Sequence, residues 1–197
     1  MVKCKKEVKA QSIKVNTMNV LVINGHPNLD KSFANAEILR LLGQHTDWQI
    51  THAADFTNDI KAEQARLLKA DVVVVQFPLY WSTFPSVMKE WIDQVFTYGF
   101  AFGPDGSQLK GKKLLFSITA GATAESYSET GFNFMPLENY QRSFEHAFKA
   151  AEMDILDTIV TFEMNAIPEE GGDVEKTIKL AHEHTVKVII AVNDNIG

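Results

Sequence analysis

Residues Asp71 to Gln76 read DVVVVQ. Four consecutive valines leave no polar alternation, so a strand built from them has no side to give to water. β-Branched side chains lose rotamer freedom in a helix, which favours the extended form. A strand apolar on both faces belongs at the centre of a parallel sheet with helices above and below. Parallel neighbours in turn need long crossover connections, most often helical. The rest of the chain supplies both. Asn19–Asn24 (NVLVIN), Trp48–Ala53, Lys113–Thr119 (KLLFSIT) and Ile155–Phe162 read as four further strands. Helical spacing is expected over Phe33–Leu42, capped by Ser32 and closed by Gly43, and over Ile60–Lys69. Further helices are expected from Pro85 to about Thr97, with proline at the first position, over Leu137–Ala151, and from Asp173 to about Val192. Strand and helix alternate five times without linker or repeat. This predicts an α/β three-layer fold around one open five-stranded parallel sheet.

The domain is expected to span residues 18–197, after a basic, loosely ordered extension over residues 1–17 with five lysines against one glutamate. That extension lacks the apolar run of a secretory signal, and no stretch is long and apolar enough for a membrane-spanning helix. One cysteine, Cys4, provides neither a disulfide framework nor a cysteine metal site. A net charge of −6 argues against non-specific nucleic-acid binding. These features fit a cytoplasmic protein. His182 and His184, two apart on a helix, are expected to point to different faces as ordinary surface histidines, and no metal site is expected.

Ligands of such sheets bind beyond the carboxyl ends of the strands. Three loops leave strand ends there, and each carries unusual residues. In the first, Gly25–Lys31, a strand runs into a helix N-terminus whose free N–H groups favour an anion. Ser32 there is a phosphate donor or merely a helix cap, and His26 a ligand or a solvated residue. Neither a Walker loop nor GxGxxG is present. The second, Phe77–Phe84, sets Tyr80 and Trp81 between two prolines, where they either stack on a planar ring or pack under the next helix. The third begins Thr119-Ala120-Gly121-Ala122, whose small residues admit a flat ligand or simply make a turn.

Phe77 to Phe102, FPLYWSTFPSVMKEWIDQVFTYGFAF, resembles the signature of the flavodoxin-like NAD(P)H:quinone oxidoreductases, of the DT-diaphorase and potassium-efflux ancillary type. The GHP…SFANA and Thr119–Ala122 segments fall in the matching order. The resemblance implies a flavodoxin-like fold, with His26, Ser32, Phe33, Ala34 and Asn35 holding the phosphate and ribityl chain of FMN. Pro78, Leu79, Tyr80 and Trp81, with Thr119, Ala120, Gly121 and Ala122, would lie along the flavin ring. FAD is less favoured, because the chain has little extra length to cover an adenosine. Tyr127 matches a flavin-contacting tyrosine that assists proton transfer. Asn133 stands where a histidine follows in DT-diaphorase, and an amide has no acid–base function. Phe100, Phe102 and Asn133 fall among substrate-lining positions.

The activity implied is a two-electron, ping-pong transfer from NAD(P)H to a quinone or similar electrophile. A homodimer is implied as well, with Trp91, Phe96 and Phe100 supplying apolar contact. The same resemblance implies an alternative role as an FMN-binding regulatory subunit of a glutathione-gated potassium-efflux antiporter, with a membrane-transporter partner at the inner face of the membrane. A single-electron carrier is disfavoured, since His26-Pro27 replaces the Ser/Thr/Gly-rich phosphate loop of flavodoxins.

Overall fold

The computed structural model describes residues 18–195; the expected basic extension lies outside the described residues. Five strands are β1 (Val20–Asn24), β2 (Gln49–His52), β3 (Val72–Pro78), β4 (Lys113–Thr119) and β5 (Asp154–Thr161). They pair in the order β2-β1-β3-β4-β5, every pair parallel. The expected central strand is β3, hydrogen-bonded to β1 and β4 and buried along its whole length.

The valine run serves two cores at once. Val73 and Val75 point to the face covered by α2 (Ile60–Lys69), α3 (Ser86–Val95) and α4 (Leu137–Ala150). Val72 and Val74 point to the opposite face, under α1 (Phe33–His45) and α5 (Val174–Asp194). All four are fully buried, each worth about 1.5–3 kcal/mol relative to exposure. Trp91, Phe116, Phe144 and Phe148 fill the first core.

Several expectations change. Gly43 does not end α1, which continues to His45; a side chain there would meet nothing, so the helix runs past it unhindered. Pro85 is the N-cap of α3 rather than its first residue. Trp91 and Phe100 are 1% and 4% exposed core residues, and Phe96 is half-buried against them. The core has claimed the aromatics expected at a dimer contact. His184 is wholly buried, not at the surface, because it lies on the α5 face that carries Ala181 and Val188. Among the described residues no helix is long and apolar enough to cross a membrane.

Candidate functional site

Strand order reverses between β1 and β3, and a cleft of about 330 Å³ opens there beyond the carboxyl ends of the strands. All three expected loops reach it. The first brings His26, Ser32, Phe33, Ala34 and Asn35; the second Pro78, Leu79 and Tyr80; the third Thr119 and Gly121. Two contributors escaped the sequence reading. Lys31 adds a cation just before the cap, and the β5–α5 connection supplies a fourth wall from Met164 to Ile167. The Gly171-Gly172 pair was the available signal for that wall. A side chain at Gly172 would run into the Ile167 nitrogen at 2.5 Å, so the chain can fold back on itself only with glycine.

The floor of the cleft is the N-terminus of α1. Ser32 caps it by accepting the Asn35 N–H at 3.0 Å. The N–H groups of Phe33 and Ala34 have no partner among the described residues, and they form the positive end of the helix dipole. The Asn35 side chain borders the cleft and directs its amide inward. It donates to Ser32 Oγ (3.3 Å) and Thr119 Oγ1 (3.2 Å) and accepts from Gln76 Nε2 (2.8 Å).

His26 is buried beside this floor. Its Nδ1 accepts the Asn28 N–H at 3.1 Å, so the neutral ring carries its proton on Nε2 and donates to Tyr80 Oη at 3.2 Å. Burial lowers the His26 pKa below its ordinary value. Beyond Tyr80 the backbone doubles back at once. Tyr80 and Thr83 exchange two backbone hydrogen bonds, of 2.9 and 3.1 Å, around Trp81 and Ser82. Both central residues hold positive φ, +49° and +62°, the conformation of a tight type I′ turn that favours glycine or asparagine. The strained turn holds Trp81 98% exposed.

The remaining expected residues divide. Ala120 is buried at the end of β4, where its N–H and C=O pair with Thr161 and Met164, and Ala122 accepts from the Glu163 N–H. These two brace the third loop against the fourth. Tyr127 lines a neighbouring cavity with Leu137 and Phe162, its ring 5.7 Å from that of Phe162. Burial pushes its phenol pKa up. Asn133 does not line the cleft: its amide donates to Ser126 Oγ at 2.9 Å and holds the loop together. Phe102 is exposed and packs edge-on against Tyr98, whereas Phe100 is in the core and unavailable to a substrate within this chain.

Comparison with known proteins follows the same lines. A family model described as a flavodoxin-like fold matches residues 18–185. A Bacillus subtilis protein named uncharacterized NAD(P)H oxidoreductase YdeQ is 31% identical over 157 residues, covering 78% of this chain and 80% of the relative. The glutathione-regulated potassium-efflux system ancillary protein KefG of Escherichia coli O1:K1 is 36% identical over 147 residues, covering 73% and 80%. Among solved structures, general stress protein 14 of Treponema denticola, in complex with FMN, superposes with a TM-score of 0.76. It is 28% identical, with 88% of this chain and 99% of that one covered.

Proposed function

We propose that this chain, which belongs to the flavodoxin-like fold family, is an FMN-dependent NAD(P)H oxidoreductase passing two electrons to a quinone or related electrophile. One observation carries the reading. A helix N-terminus with two free N–H groups, of Phe33 and Ala34, and a ledge formed by Pro78, Leu79 and Tyr80 open into the same cleft. The first suits a phosphate, the second a flat ring. The NAD(P)H oxidoreductase name of one relative and the FMN complex of another support it.

The residues fit the cofactor. Ser32 has a hydroxyl proton to give, Phe33 and Ala34 offer free N–H groups, and Lys31 adds charge; together they would hold the phosphate. Pro78, Leu79, Tyr80 and Gly121 would flank the ring, with no bulky side chain at Gly121 to close the space. When bound, FMN supplies the redox chemistry linking NAD(P)H to the acceptor. The protein's part is to orient and to shield. Tyr80 keeps its own O–H free for a ligand, because it accepts from His26. Tyr127, held protonated by burial, lines the neighbouring cavity and would donate to a ligand that reaches there. Donor and acceptor would use the open side of the cleft in turn, which gives ping-pong kinetics. A cytoplasmic homodimer goes with this reading, with Tyr98 and Phe102 among the exposed aromatics available to a second subunit.

The test is an absorbance spectrum of the purified chain with identification of any released flavin, before and after NADPH without oxygen. Yellow protein that releases FMN, bleaches with NADPH and recovers with menadione supports the reading. Protein that takes up no flavin on reconstitution refutes it. The KefG match favours a second role, as the regulatory subunit of a potassium-efflux antiporter. Recovery of a transporter on affinity purification of this chain from membranes would support that role, and its absence would remove it.

A further inference from the structure

A line of buried polar side chains connects α5 to the floor of the cleft. His184 Nδ1 lies 2.8 Å from Thr161 Oγ1, and its Nε2 lies 2.7 Å from Ser117 Oγ. Ser117 donates to Gln76 Oε1, Gln76 Nε2 donates to Asn35 Oδ1 at 2.8 Å, and Asn35 Nδ2 donates to Ser32 Oγ at 3.3 Å. Gln76, Ser117 and His184 are wholly buried, and Asn35 nearly so. Polar groups in a sheet interior cost stability unless every one is paired, and apolar residues would fill this space without that demand. The polar line therefore calls for an explanation beyond packing.

The hydrogen bonds have a direction. Ser117 has one proton, and it goes to Gln76; its oxygen must then accept from His184. Neutral His184 thus carries its proton on Nε2, and Nδ1 accepts the Thr161 hydroxyl. Burial holds the His184 pKa down at about 4, so the ring is neutral at ordinary pH. At the far end, Ser32 Oγ accepts two N–H groups, from the Asn35 backbone and the Asn35 amide. Both lone pairs are occupied, and the hydroxyl proton is left to face the cleft.

We propose that His184 is a positioning residue for phosphate binding: by donating from Nε2 it orients Ser117, Gln76 and Asn35 so that Ser32 presents its proton to the ligand. The proposal rests on the FMN reading above. With the proton on Nδ1 instead, every bond in the line reverses. Asn35 would then turn its oxygen to Ser32, and the hydroxyl proton would point inward. One tautomer of a residue on the last helix decides whether the first helix has a donor to give.

Titration of the full chain with FMN and with riboflavin, which lacks the phosphate, separates this role from a structural one. A partly unfolded variant loses affinity for both flavins together, so the ratio of the two affinities reports on phosphate alone. Ser117→Ala and His184→Leu are expected to weaken FMN about tenfold relative to riboflavin, the scale of one hydrogen bond to a charged group. His184→Gln, which keeps an N–H directed at Ser117, is expected to restore most of the ratio. Should His184→Leu fail to fold, Ser117→Ala, which removes one hydroxyl, carries the test. Heteronuclear NMR of the imidazole is expected to find His184 protonated on Nε2. An unchanged ratio in Ser117→Ala, or a proton on Nδ1, overturns the proposal while leaving FMN binding intact. A wild-type chain that binds neither flavin overturns the FMN reading itself and the proposal with it.

Discussion

His26 Nε2 donates to Tyr80 Oη across 3.2 Å, which ties the loop after β1 to the loop after β3 over the mouth of the cleft. The bond leaves the Tyr80 proton free while fixing the ring that carries it. Tyr80→Phe removes a donor at the cleft and leaves His26 Nε2 unpaired in a buried position. NADPH oxidation with menadione is expected to fall about tenfold or more, with thermal stability lowered by about 1 kcal/mol. Steady-state kinetics and a melting curve on the same preparation check both.

Ser32 does two jobs, and its loss should show both. Ser32→Ala removes a helix cap, worth about 1 kcal/mol of stability. It also removes the hydroxyl that caps the N-terminus of α1 in the cleft. FMN affinity is expected to fall about tenfold and riboflavin affinity to hold, since one charge-assisted hydrogen bond is lost. Urea unfolding and flavin titration read the two effects separately.

Gly25 sits where β1 passes under α3. A methyl group there would lie 3.1 Å from Met88 Cβ and 3.2 Å from Phe77 Cβ, neither of them the flexible end of a side chain. Gly25→Ala is expected to destabilise the chain by about 1–3 kcal/mol through overpacking. The denaturation midpoint should drop, with the slope unchanged.

The turn at Trp81-Ser82 stores strain because neither residue is glycine. Ser82→Val places a β-branched side chain at φ +62° and is expected to cost about 1–2 kcal/mol. Ser82→Gly relieves the strain and is expected to leave stability equal or higher. Melting temperatures of the two variants, ranked against wild type, decide it.

Acid stability depends on His184. Its folded pKa of about 4 lies below the ordinary 6.5, so below pH 6.5 the unfolded chain binds a proton that the folded chain refuses. Stability from this group is therefore full above pH 6.5 and falls as pH drops from 6.5 towards 4, by on the order of 3 kcal/mol. Unfolding free energies across that range should fall in wild type and fall less steeply in His184→Gln, where buried His26, whose pKa is also lowered, still contributes.

Much of this was legible in the residues. The valine run announced β3 and the two-sided sheet, and the three loops at strand ends announced where the cleft opens. What escaped notice depended on tertiary contacts. Ala181, His184, Thr185 and Val188 follow the spacing of a buried helix face, yet the presence of His182 two positions away drew attention to separation rather than to the stripe. The resemblance puts Asn35 in the phosphate-holding segment, and it does border the cleft; that its amide is held by Gln76 and Thr119, far away in sequence, no local pattern shows. Phe100 lies in a motif that resembles a substrate lining, and no local pattern tells a core aromatic from a lining one.

The three tryptophans occupy three environments: Trp81 stands free in water, Trp91 is sealed in the core with its indole N–H on Glu63, and Trp48 is half-covered. The chain thus carries its own optical labels. Light emitted from Trp81 will change when anything flat settles on that turn, while the surroundings of Trp91 change only when the core itself opens. Replacing Trp48 and Trp91 with phenylalanine would leave one emitter, on the turn next to the cleft residue Tyr80, able to time the arrival and departure of each ligand without any dye.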